Sequence, residues 1–257
     1  RRLRAPGLAE VAARLEDASD ERGGRDVAGA PFVVSLGEGP DRWEPPPATD
    51  DGAPASTGAL AVLGRLAPIE RAPVECALGA GATLTISGPG AIGVARAVVI
   101  QLAASAAPEQ MRLDLDGLGG LDGLDGLDGG SWTADLPHTL SSPPGAGRHV
   151  VVFVDRADLV ARPPGAIREA LELDRDAALV VVDEGGLAAR SGVGARLDLG
   201  ESGMGRWRPD AAAVGAREVA PAGIDAETAG SLAARIADRA RTMPATASPR
   251  CPRRPRP

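Results

Sequence analysis

The feature that most constrains this chain is a strand, a glycine turn and a helix in unbroken succession near its middle. Residues 82–87 (ATLTIS) read as a strand. Gly88-Pro89-Gly90-Ala91-Ile92-Gly93 follows directly, and residues 94–106 (VARAVVIQLAASA) read as a buried helix that Pro108 stops. Two further runs limit the sheet that can surround it. Residues 149–154 (HVVVFV) end at Asp155, and residues 178–182 (ALVVV) end at Asp183-Glu184. Apolar runs without alternation suit strands buried on both faces of a parallel sheet.

The rest of the chain fits around this centre. Residues 31–36 read as a lead-in strand, and 74–78 and 111–115 as further strands. Residues 195–199 and 206–208 read as late edge strands. Residues 166–173 read as a crossover helix and 7–18 as a short amphipathic one. Residues 225–241 predict a closing helix with Asp225 as its N-cap. The expected fold is a three-layer α/β plan with a mostly parallel sheet. Residues 1–58 would hold an N-terminal helix, the lead-in strand and a loop. Residues 59–243 would form the α/β domain, and 244–257 a disordered Pro/Arg tail. Residues 37–58 and the Leu-Asp-Gly tract 115–130 read as loops, being too polar and glycine-rich to offset ordering entropy. The tract's period of three does not match the nine-residue repeat of calcium-binding solenoids.

Composition removes several functions. All 28 basic residues are arginine, and lysine and tyrosine are absent, so a tyrosine–lysine hydride-transfer pair cannot be built here. The net charge of −7 argues against broad nucleic-acid binding by charge alone. Cys76 and Cys251 form no disulfide framework, which fits a reducing, cytoplasmic setting. With His138 and His149 they offer no metal-ligand spacing, so no metal site is expected. Trp132 is expected to pack at the sheet edge, and Trp207, between Arg206 and Arg208, to lie on a hairpin surface. Arg96 breaks the most apolar stretch, so no membrane span is expected. The chain begins at Arg1 without methionine, which fits a piece of something longer.

The glycine turn admits three readings. Gly88 and Gly93 have the spacing of a Walker A loop, but Val94 stands at the lysine position and Ala95 at the serine/threonine position. The lysine would neutralise the β/γ-phosphates and the hydroxyl would bind magnesium, so both functions are missing. Gly88, Gly90 and Gly93 also fit the dinucleotide fingerprint G-x-G-x-x-G, with Asp114 or Asp116 near the place of the ribose-binding acid. The third reading is a packing turn that binds nothing.

The order of motifs resembles the FtsK/SpoIIIE-type P-loop ATPases, in their actinobacterial, type VII secretion, EccC-like form. Leu84 to Leu115 resembles the Walker A region, with Ala107-Pro108-Glu109-Gln110-Met111 in place of a Ser-Pro-Glu-Glu-Leu-like segment. Residues 132–139 resemble the Leu-Pro-His motif. HVVVFVD resembles the Walker B strand, with Asp155 at the metal position. PFVVSLGEGPD resembles the lead-in strand and IDAETAGSLAARIADRA the closing helix. The resemblance covers about residues 60–240. Arg156 follows Asp155 where a glutamate base would stand, whereas Asp183-Glu184 keeps the acid pair; Asp155 is preferred because its strand follows the Leu-Pro-His segment directly.

The resemblance implies a degenerate ATPase module. No catalytic residue is expected beyond Asp155 or Asp183 and Glu184 as Walker B-like acids. The nucleotide-binding-like loop comprises Gly88, Pro89, Gly90, Gly93, Val94 and Ala95. ATP with magnesium is the cofactor implied. Active ATPase domains of the same or a related chain are the implied partners, with a ring oligomer, DNA or a secreted protein by resemblance. The cytoplasmic setting could adjoin the membrane through a larger assembly. The expected function is thus a non-hydrolysing module with a structural or regulatory role. An NAD(P)-binding oxidoreductase, and an ATPase in which Arg96 or a partner supplies the cation, are the alternatives.

Overall fold

The computed structural model describes residues 31–41, 69–117, 132–133, 136–139, 149–155, 177–185, 194–209 and 215–242. The helices expected over 7–18 and 166–173, most of the two expected loops, and the tail lie outside them.

Among the described residues nine strands form one sheet: β1 (Phe32–Asp41), β2 (Ile69–Leu78), β3 (Thr83–Ser87), β4 (Met111–Gly117), β5 (His149–Asp155), β6 (Ala177–Asp183), β7 (Ala195–Leu199), β8 (Gly205–Arg208) and β9 (Arg217–Pro221). Helix α1 (Ala91–Ser105) follows β3 and helix α2 (Ala226–Thr242) follows β9. The strand order is β2-β1-β9-β8-β7-β3-β6-β5-β4. β4, β5, β6, β3 and β7 pair in parallel. The β7–β8, β8–β9, β9–β1 and β1–β2 pairings are antiparallel.

This corrects three expectations. The sheet is mixed rather than mostly parallel. β7 and β8 are interior, because β9 returns beside β8 and β1 beside β9. Residues 37–41 and 115–117 are strand rather than loop, since backbone pairing with a neighbour satisfies their polar groups whatever their side chains. β1 is a member of the same sheet.

Side-chain pattern explains how the strands sit. All seven residues of β6 are buried, as its unalternating sequence requires. Val180 and Val182 face the main core with Val151 and Phe153 of β5 and Leu84 and Ile86 of β3. Leu179 and Val181 join Val152 and Val154 in a smaller cluster. β8 alternates instead: Gly205 and Trp207 are buried while Arg206 and Arg208 are exposed. Trp207 is therefore a core residue, not the hairpin-surface residue expected, because the period of two turns it inward between two outward arginines.

α1 is apolar nearly all round because it is enclosed on several sides, by β3 and β6, by β1 and by α2. It starts at Ala91, three residues earlier than the sequence suggests. Burying each of its Val, Leu and Ile side chains contributes roughly 1.5–3 kcal/mol. Its one long polar core residue, Gln101, is fully buried and satisfied. Its amide accepts from Ser35 N at 2.8 Å and donates to Ser35 O at 2.9 Å, acting as a one-residue strand beside β1. α2 is amphipathic, with Ala229, Leu232, Ala233, Ile236 and Ala237 buried. Asp225 caps it as expected: Thr228 N donates to Asp225 Oδ1 at 2.7 Å. Trp132 is buried and lies against Gly230 of α2. Among the described residues no helix is long and apolar enough to cross a membrane.

Candidate functional site

Parallel strands bring their carboxyl ends to one edge, and ligands of open α/β sheets bind there, where the strand order switches direction. Here the chain leaves β3 for the far strand β4, returns through β5 to β6 on one side of β3, then crosses to β7 on the other. The carboxyl end of β3 is that switch point, and the glycine turn stands on it.

The turn is short. Gly88 N donates to Asp183 O at 2.8 Å, which ties the end of β3 to the end of β6, and Ala91 N donates to Gly88 O at 3.1 Å. Gly90 is the N-cap of α1, with φ 84° and no side-chain cap. Only Gly88-Pro89-Gly90 therefore lies between strand and helix. Gly88 also has positive φ, and a methyl group there would meet Leu199 O of β7 at 2.2 Å. A glycine is required by both conformation and contact. At Gly90 a methyl group would meet nothing within 4 Å.

Val94 and Ala95, at the lysine and hydroxyl positions of a Walker A loop, belong to the main core cluster. Neither supplies the cation or the hydroxyl that a magnesium-bound triphosphate needs, so the donor set does not fit that cofactor. Gly93 lies inside the helix, where Ile224 N donates to its carbonyl at 3.0 Å.

Acids gather around Ser87. In register, Ser87 pairs with Asp183 of β6 on one side and Asp198 of β7 on the other. The Ser87 hydroxyl donates to Asp198 Oδ1 at 2.7 Å, and Arg196 Nε bonds the same oxygen. Asp183 is buried and Glu184 exposed. Asp155 ends β5, one strand further from β3, opposite Val182. The structure thus brings Asp183 and Glu184 beside the turn and holds Asp155 a strand away. Arg96 stands in the second turn of α1. Burial lowers its pKa, and the charges of Glu184 and Asp225 raise it again. The Ser87–Asp198–Arg196 group escaped sequence reasoning; its only trace was the alternation of ARLDL.

No family model matches the chain. No curated protein matches it either. Among solved structures it is similar to the cytoplasmic domain of the Thermomonospora curvata type VII secretion ATPase EccC, at 17% identity and a TM-score of 0.39, over 60% of this chain and 25% of that one. It is also similar to a chain described as an ATPase, at 14% identity and a TM-score of 0.34, over 87% of this chain and 97% of that one. The chain spans about a quarter of the EccC structure's length. At these scores the likenesses carry no argument about the site.

Other sequence candidates lie elsewhere. Leu136-Pro137-His138 sits at the opposite end of α1 from the glycine turn. His138 Nε2 bonds Ala106 O at 3.0 Å, and Leu113 N donates to His138 O at 3.0 Å. His149 begins β5, at the amino edge of the sheet. β4, which carries Asp114 and Asp116, is separated from β3 by β6 and β5. Asp114 pairs there with Arg112 at 3.6 Å. Cys76 is buried as a free thiol, pushed up to about 12 by desolvation. Among the described residues no three His, Cys, Asp or Glu side chains group to hold a metal.

Proposed function

We propose that this chain is a P-loop-derived α/β module that does not hydrolyse nucleotide and serves a structural or regulatory role toward active motor domains of the FtsK/SpoIIIE kind. One observation carries the reading. A glycine turn stands at the switch point of the sheet, yet its two chemistry-bearing positions, Val94 and Ala95, are buried in the core. A phosphoryl-transfer site needs charge on the γ-phosphate, and losing one preorganised donor costs about 3–4 kcal/mol, or ~10²–10³ in rate. Two are missing here. Packing their replacements into the interior favours a fold retained for its surface rather than its turnover.

The second reading is a dinucleotide site. The short turn and the in-helix Gly93 favour it, as the fingerprint needs a tight turn and close helix packing. The strand order disfavours it. In dinucleotide-binding sheets the strand after the first helix lies beside the first strand, so that its acid reaches the ribose, whereas β4 lies three places from β3.

Calorimetric titration with magnesium-ATP and separately with NAD, beside a phosphate-release assay, tests both. The expected result is no turnover, together with a changed hydrolysis rate when the chain is added to an active FtsK/SpoIIIE-type domain. ATP turnover by the chain alone overturns the first reading. NAD binding without ATP binding establishes the second.

A further inference from the structure

Gly93, the third glycine of the motif, has a neighbour that neither phosphate-binding reading uses. From Glu218 the chain runs along β1 and then across the first turn of α1, with a glycine at each close approach. A methyl group on Gly39 would meet Glu218 O at 2.4 Å, and one on Gly37 would meet Ala220 O at 2.1 Å. A methyl group on Gly93 would meet Ile224 O at 3.3 Å. Ladder pairing to β1 is short, with Gly37 opposite Pro221 and Glu38 opposite Ala220. Two backbone bonds carry the contact further. Ala222 N donates to Leu36 O at 2.9 Å, and Ile224 N donates to Gly93 O at 3.0 Å. Residues 218, 220, 222 and 224 share one parity, so an extended chain turns their peptide groups to the same side. The Ile224 side chain packs against the main core, and Asp225 then caps α2.

We propose that residues 218–225 form a clasp, seated backbone-first in a glycine track on β1 and α1, that opens as one unit without the rest of the fold, and that Gly93 belongs to this track. Glycine inside a helix is disfavoured against alanine by about two- to five-fold in equilibrium constant. The close approach of the Ile224 carbonyl gives Gly93 a use that needs no ligand. At each of the three glycines the group a methyl would strike is a backbone carbonyl oxygen, which cannot turn aside as a side chain can. Lifting the segment at one glycine therefore pulls on the bonds at its neighbours, because the peptide groups are joined by a stiff extended chain. The clasp joins the antiparallel half to the helix behind the glycine turn, and it goes beyond the proposed function because it operates whatever the turn binds.

Amide hydrogen exchange followed by NMR at low urea tests the clasp. In the parent, Ala222 and Ile224 should exchange through one opening with one urea dependence, smaller than that of the β3 amides. Phe153→Ala, remote on β5, should speed the β3 amides and leave Ala222 and Ile224 at parent rates, since their opening keeps Phe153 packed. Gly39→Ala, on β1, should speed Ile224 on α1 as much as Ala222, by about two- to ten-fold, the loss of roughly one hydrogen bond. Gly93→Ala should speed the same two amides although alanine favours the helix. Different urea dependences for Ala222 and Ile224 in the parent overturn the single unit. Acceleration of both amides by Phe153→Ala shows that the segment opens only with the whole fold. An unmoved Ile224 in Gly39→Ala, or slower exchange in Gly93→Ala, removes the glycine track.

Discussion

The strands β4, β5, β6, β3 and β7 all run one way, whereas β8, β9, β1 and β2 alternate in direction. The parallel half delivers every carboxyl end to one edge. Ser87, Gly88, Asp155, Asp183, Glu184 and Asp198 come from four strands and lie along it. The alternating half cannot do this, since each turn sends the next strand back. It works as a buttress instead. Gln101 fastens β1 to α1, Trp207 fills the core from β8, and the segment after β9 bonds the first turn of α1 through Ile224 N and Gly93 O. Candidate chemistry therefore collects where strands are parallel, and the antiparallel half encloses the helix that carries it.

The comparison can be broken by removing one aromatic from each half. Phe153→Ala on β5 and Trp207→Ala on β8 should each cost about 3–5 kcal/mol. Both residues belong to one core cluster, so urea unfolding should stay a single transition in each variant. A two-step melt confined to Trp207→Ala would make the halves separate units. Arg206→Ala, on the solvent side of the same strand, should change stability by less than about 0.5 kcal/mol.

Two glycines of the turn sharpen it. Gly88→Ala and Gly90→Ala both place a side chain at positive φ, worth about 1–2 kcal/mol. Only at 88 does the new methyl group also strike the backbone of β7. Thermal denaturation should show the larger loss there. Equal losses would mean that β7 yields, and that the parallel half is less rigid at its edge than its packing implies.

The smallest effect lies in the cap that follows the antiparallel half. The Thr228 backbone amide holds the Asp225 carboxyl below its ordinary range, and Arg96 adds to this. A folded-state pKa below the unfolded one means the stabilisation is present above about pH 3.9 and is lost as pH falls through the folded value. Asp225→Asn should flatten that part of the acid limb in urea midpoints measured against pH. Superimposable limbs would show that the carboxylate charge adds nothing to the cap.

Much of the fold was legible residue by residue. The runs HVVVFV and ALVVV became β5 and β6, ARLDL became β7, and Asp225 capped α2 as its side chain suggests. The turn was legible too, because glycines between an apolar strand and an apolar helix have few other uses. Gln101 was the missed signal, a lone amide in an apolar helix that required a partner no local pattern names. Trp207 was misread because flanking arginines suggest solvent, although alternation in a strand places their neighbour inside.

The sequence by itself determined the centres of β3, β5, β6 and β7, the glycine turn, the body of α1 and the cap of α2, and that no lysine of this chain can serve the turn. Those properties depend on side chains within a few positions of each other, through period, capping and the conformational freedom of glycine. Only the tertiary structure decided that β6 and β7 flank β3, that β4 is carried to the far side, that Asp183 stands nearer the turn than Asp155, and that Val94 and Ala95 face the core. Strands pair through backbone groups that are the same at every residue, so the choice of neighbour is made only when the whole core packs.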